Sequence, residues 1–205
     1  MIQTEIAEER KRQILEAAEV CFARRGFHGA TMPEICAEAK LSPGTVYRYF
    51  RSKDDLIEAL VEQDRADSLE LIAFIGRAGD IPTAIGHAVD EALAAVDDPA
   101  AAAVYLEVGA EAARNPRVAA IVRRHDESVT GALADLLHRG QERGEVSPTI
   151  EPHLTAGLIF AMIDGVITRK ALIPEIDLSR YAPAVKQVIA TLLRSEATNQ
   201  SPINQ

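Results

Sequence analysis

Apolar residues recur along most of this chain at the three-and-four spacing of a helix, and no stretch alternates as a strand does. Between Thr31 and Phe50, in TMPEICAEAKLSPGTVYRYF, the pattern is cut into two short helices around a tight turn. Thr31 with Glu34 three residues later reads as a capping box, with Pro33 tolerated in the first turn. Ser42 reads as the N-cap of the second helix, which opens on Pro43. Helices of about eight residues bury little alone, so this pair is explained by something other than stability. A helix-turn-helix that offers its second helix to the DNA major groove fits.

At about 100° of rotation per residue, Val46 and Phe50 mark the buried side of that second helix. Gly44, Thr45 and Arg48 form the opposite stripe, with Tyr47 and Tyr49 on its flanks. Gly44 allows close backbone approach and Thr45 offers a hydroxyl and a methyl. Arg48 can donate two hydrogen bonds to a guanine edge, while the tyrosines reach phosphates on either wall. Ser52 caps the next helix, with Asp55 where a capping box wants an acid. Lys53 then stands at the first helical position, where the macrodipole disfavours a cation. That placement suits a cation aimed at an external anion such as a DNA phosphate; chance placement is the alternative.

Beyond residue 53 the periodicity predicts helices near 53–76, 81–96, 99–114, 116–143, 152–173 and 178–194. Pro82, Pro99, Pro116, Pro152 and Pro183 fall at or near helix starts, and Gly144 opens a break before 152. The polar tail from Ser195 has no hydrophobic face and is expected to be disordered. The fold class is therefore all-α, about nine helices. Residues 1–53 form an N-terminal three-helix helix-turn-helix domain, 54–194 a C-terminal helical bundle, and 195–205 a tail.

Charge changes the picture. Of 205 residues, 22 are Lys or Arg and 31 are Asp or Glu, a net charge of −9 that looks wrong for a DNA binder. Residues 1–53, however, carry nine Lys/Arg against seven Asp/Glu, or +2, and the remainder 13 against 24, or −11. Local charge at the phosphates governs DNA affinity. Arg10, Lys11 and Arg12 form a basic run ahead of the first helix, either for phosphate contacts or as a solvated helix start. No uncharged apolar run is long enough to span a membrane and the N-terminus lacks a signal peptide, so a cytoplasmic protein is expected. Cys21 and Cys36 read as buried structural thiols, with a redox pair the sharper alternative. The five histidines show no metal spacing, no GxSxG turn is present and no phosphate loop follows a strand. No catalytic residue, metal or cofactor is assigned.

Residues 10–62 resemble the DNA-binding domain of the tetracycline-repressor (TetR) family of bacterial transcription regulators. ILEAAEVCFARRGFHGATMPEICAEA and LSPGTVYRYFRSKDDLIEAL carry the likeness. It implies DNA contacts, mostly to phosphates, by Thr31, Ser42, Gly44, Thr45, Tyr47, Tyr49 and Lys53, with Arg48 at a variable position that sets sequence preference. Lys40 stands where the family has a turn glycine, and Cys36 where it has alanine; a left-handed lysine would cost about 1–2 kcal/mol.

LEVGAEAARNPRVAAIVRRHDESV and FAMIDGVITRKALI resemble the family's effector-binding domains more loosely. That likeness implies a small-molecule cavity among the middle helices and dimerisation through the last two. The segment 154–173 is apolar nearly all round, so it is buried on more than one side. Gly157 and Gly165 would let a second backbone approach, and the last helix adds Tyr181, Val185, Val188, Ile189 and Leu192. Asp164 within that helix reads either as a polar anchor of the cavity or as a fixed partner for an Arg, Tyr or backbone donor. Glu107 and Glu111, with Tyr105 and His125, line the same cavity or else lie on a solvated face. The expectation is a homodimeric repressor on a palindromic double-stranded operator, released by a small apolar, amphipathic or cationic effector. The same fold without an effector, or as an adaptor that does not bind DNA, is the alternative.

Overall fold

In the computed structural model, which describes residues 2–77 and 80–194, every regular element is helical. The nine helices among the described residues are α1 (Ile2–Gly29), α2 (Met32–Glu38), α3 (Pro43–Tyr49), α4 (Lys53–Ile75), α5 (Ile81–Ala94), α6 (Pro99–Ala112), α7 (Pro116–Glu142), α8 (Pro152–Leu172) and α9 (Leu178–Leu193). From α4 onward each lies within two residues of the span expected from periodicity. The starts are fixed by capping side chains: Asp80, Asp98, Asn115, Glu151 and Asp177 each accept from the first turn of their helix. Pro82, Pro99, Pro116 and Pro152 occupy the first two positions, where a missing N–H costs nothing. Pro183 departs from the expectation. It lies inside α9, beyond the first turn, where it removes one ladder hydrogen bond. The tail from Ser195 lies outside the described residues.

The basic run also differs from its reading. Arg10, Lys11 and Arg12 are within α1, not ahead of it. Lys11 pairs with Glu8 at 2.9 Å, and Arg12 with Glu9 at 2.7 Å and Glu16 at 2.9 Å. Arg10 donates to Gln13 at 2.6 Å, and Gln13 in turn caps the end of α2 by donating to the Ala39 carbonyl at 2.7 Å. The helical i, i+3 and i, i+4 spacing brings Lys11 and Arg12 onto acids of their own helix.

Two apolar clusters organise the molecule. One holds α1, α2 and α3 together through Ile14, Ala18, Phe22, Phe27, Ile35, Val46 and Phe50. It also takes in Leu56 and Ile57 from α4, Val104 from α6 and Val118 from α7. The second is built from α4, α5, α7, α8 and α9, with Ile81, Ile85, Leu93, Leu136, Leu137, Ile159 and Ile189 at its centre. The expected division after residue 53 is thus softer in packing: α4 serves both clusters, and the head rests on α6 and α7. Cys21 and Cys36 are free, buried thiols in the first cluster, each pushed upward in pKa by burial.

Candidate nucleic-acid interface and ligand site

The helix-turn-helix forms as its caps dictate. Thr31 Oγ1 accepts from the Glu34 N–H at 3.4 Å and the Glu34 carboxylate accepts the Thr31 N–H at 3.0 Å, closing the capping box. At the turn, Lys40 adopts φ 55° and the Leu41 N–H returns to the Cys36 carbonyl at 3.1 Å. The lysine is left-handed where glycine would sit without strain. Ser42 then caps α3 by accepting from the Thr45 N–H at 3.2 Å.

On α3, Val46 is fully buried and Phe50 nearly so. Gly44, Tyr47 and Arg48 are exposed, and the space around Gly44 is open. Thr45 is half-buried, its hydroxyl 2.9 Å from that of Ser42. Tyr49 packs partly against the head core, with the Arg48 guanidinium 5.2 Å from its ring centre. One face of α3 is thereby anchored while a cation, a phenol and bare backbone point outward.

Lys53 is placed otherwise than its sequence suggested. Its ammonium turns back to the end of α1, donating to the carbonyls of Phe27, His28 at 3.3 Å and Ala30 at 2.8 Å, and lies 4.6 Å from the Phe27 ring centre. The partner that offsets its poor dipole position is this set of carbonyls. Asp55 accepts the Arg51 N–H at 2.9 Å, one residue before the cap, and an Arg117 bond at 2.7 Å. Burial pushes the Asp55 carboxyl up, but hydrogen bonds from Arg117, Arg51 and Ser52 outweigh it and hold its pKa below the ordinary value.

The five residues expected around a ligand cavity separate into two places. Tyr105 on α6 donates to Asp164 on α8 at 2.6 Å. Burial drives the Asp164 carboxyl upward against the pull of that hydrogen bond, with nearby Asp126 adding to the rise and His125 opposing it. Burial and the same bond push the Tyr105 phenol far up. His125 on α7 lies 3.6 Å from Asp64 of α4 through Nε2, and its buried Nδ1 has no hydrogen-bond partner.

Glu107 and Glu111 are elsewhere, which corrects both readings of that pair. They face α1, because they lie on the side of α6 turned away from Tyr105. Glu107 accepts the Phe27 N–H at 2.7 Å. Glu111 is buried at 6% exposure, with His28 Nε2 at 3.1 Å and the Asn115 amide donating at 3.0 Å. The signal available in the sequence was Gly26 inside a helical run, which announces a break that needs a partner.

The expected dimer residues also divide. Val185 is core within one chain and Tyr181 packs against that core, so neither is a free face. Val188 is 53% exposed, and Leu192 is half-buried. On α8, Leu154, Leu158, Ala161, Gly165 and Leu172 are exposed in a single stripe, with open space around Gly157 and Gly165. No helix among the described residues is long and apolar enough to cross a membrane, and no group of His, Cys, Asp or Glu among them is placed to hold a metal.

Comparison with known proteins follows the same outline. Residues 14–60 match the model of the bacterial regulatory proteins of the tetR family, and residues 83–194 match the C-terminal model of BetI-type transcriptional repressors. The chain is 33% identical over 202 residues to the HTH-type transcriptional regulator UidR of Escherichia coli, covering 94% of this chain and 96% of that one. The structure of Salmonella enterica GusR superposes with a TM-score of 0.74 at 28% identity, over 90% of this chain and 95% of that one. FadR from Bacillus subtilis, solved in complex with stearoyl-CoA, superposes with a TM-score of 0.78 at 21% identity, over 89% and 99% of the two chains.

Proposed function

The chain belongs to the TetR family of bacterial transcription regulators, which makes it a DNA-binding regulator and not an enzyme, and on that premise we propose a homodimeric repressor released from a palindromic operator by a small ligand. The observation that carries the DNA reading is α3, held by Val46 and Phe50 with Gly44, Tyr47 and Arg48 outward. Arg48 reads a base edge; Thr31, Ser42, Thr45, Tyr47 and Tyr49 hold the backbone around it. The work is done in the cytoplasm, at the chromosome.

The exposed stripe of α8 supports the dimer. Leu154, Leu158, Ala161, Gly165 and Leu172 follow the four-and-three spacing of a helix seam, and Val188 of α9 adds to it. A symmetric pair built on that seam presents two copies of α3, which must lie about 34–36 Å apart to dock on one face of DNA. A ligand that favours another spacing depopulates that state.

The effector site we propose is the Tyr105–Asp164 pair with His125. Its acids, Asp164 with Asp126 and Asp64 near by, favour a cationic or neutral amphipathic ligand over a polyanion of the kind bound by the Bacillus subtilis relative. The DNA reading is tested on duplexes recovered from random DNA by the wild-type protein. Arg48→Ala is expected to cost about 1–3 kcal/mol and to relax the preference at one base pair per half-site. An Arg48→Ala protein that selects the same sequence with equal stringency moves base reading to another residue.

A further inference from the structure

We infer that residues 27–30, the last turn of α1 and the residue after it, form a charge clamp that sets the angle of the DNA-reading head, and that Glu107 is a positioning residue for operator binding. At Gly26 the backbone leaves the helix, with φ 69° and ψ 167°, so a new turn begins at Phe27 and closes with the Ala30 N–H on the Gly26 carbonyl at 3.1 Å. The start of any helical turn has N–H groups without partners. Here the first of them is taken by a carboxylate from another helix, Glu107 Oε2 at 2.7 Å. At the far end the carbonyls of Phe27, His28 and Ala30 converge on the Lys53 ammonium. An anion stands at the positive end of the turn and a cation at its negative end, the favourable order at both.

Space enforces the same arrangement. The positive φ favours glycine at residue 26, and a Cβ there would stand 3.1 Å and 3.3 Å from the two Glu107 carboxylate oxygens, pressing the acid back by a few tenths of an ångström. Glu111, one turn further along α6, holds His28 from the same side. Lys53 begins α4 and Glu107 belongs to α6. Helices α4 and α6 therefore hold the same turn, both of them at Phe27 and at His28. Lys53 ties the turn to the start of α4 inside the head, so turning the head against α6 strains the Glu107 contact. A carboxylate that faces inward across α6 has no route to phosphate, so it acts on DNA only through α1.

Electrostatics supplies a test in which the two explanations differ in sign. Removing an acid from a DNA-binding surface by itself strengthens attraction to the polyanion. Loss of a positioning contact weakens binding to the specific site instead. Glu107→Ala is expected to lose about tenfold or more in affinity for the duplex selected by the wild-type protein. Its affinity for random-sequence DNA stays equal or rises slightly, and the salt slope on the selected duplex is kept. Glu107→Gln, whose amide oxygen still accepts the Phe27 N–H, recovers most of the loss. Titrations run well below the melting midpoint of each variant, followed by circular dichroism, separate positioning from unfolding. Equal or tighter binding of Glu107→Ala to the selected duplex overturns the clamp, as does an equal loss on random DNA or a loss that vanishes below the melting midpoint.

Discussion

The Tyr105 hydroxyl and the Asp164 carboxylate, on helices α6 and α8, are joined by a hydrogen bond of 2.6 Å. Because burial raises the Asp164 pKa in the folded chain, the unfolded chain ionises first as pH climbs past the ordinary value of 3.8. Folding is then opposed from that point upward, fully so once pH exceeds the folded-state value. Asp164→Asn keeps an acceptor for Tyr105 and removes the charge. It is expected to raise the melting temperature at pH 7, with the gain shrinking toward pH 4. Melting curves at the two pH values decide it; a gain that is larger at pH 4 reverses the sign and refutes the account.

Lys40 holds a left-handed conformation at φ 55° in the turn between α2 and α3. Lys40→Gly relieves strain of about 1–2 kcal/mol, part of which is returned as extra entropy of the unfolded chain. The expected net gain is about 0.5–1 kcal/mol, read from denaturant midpoints at unchanged slope. A midpoint that falls shows that the lysine side chain makes a contribution larger than its strain.

Gly165 has nothing within 4 Å of where a Cβ would stand, so the protomer has room for a larger side chain there. If α8 packs on its symmetry mate at that point, bulk is harmful only in the assembly. Gly165→Leu is expected to keep its helical spectrum while light scattering shows more monomer and operator binding weakens. A fully dimeric Gly165→Leu protein that binds normally places the interface elsewhere.

Helix limits were legible in the sequence because their determinants are local. Thr31, Ser42 and Ser52 each satisfy an N–H within three residues, and Pro99, Pro116 and Pro152 fix the first turn by their own rings. The outward placing of Gly44 and Arg48 was legible for the same reason, since Val46 and Phe50 set the rotation of a seven-residue helix, whereas Thr45, expected beside them, is half-buried against Ser42 and Tyr47 takes the exposed place. Glu107 was not, because its partner Phe27 is 80 positions away and no local pattern links them. Lys53 misled in a similar way: its position against the dipole suggested an external anion, but its ammonium is met by neutral backbone carbonyls 23–26 residues back in the chain. Val185 and Val188 share one apolar helix, and three residues of rotation alone did not tell which faces its own core.

The uneven charge of the two ends bears on how the molecule arrives at DNA. With +2 on residues 1–53 and −11 on the rest, the protein is an electric dipole whose large end is repelled by the duplex. Collisions that begin with the body are pushed apart, while the torque on a tumbling molecule turns the head inward. At physiological ionic strength this acts only over a Debye length of about 8 Å, so it sorts orientations in the last step of approach. Acidity in the body thus shortens unproductive visits, and leaves the duplex to be searched by one face.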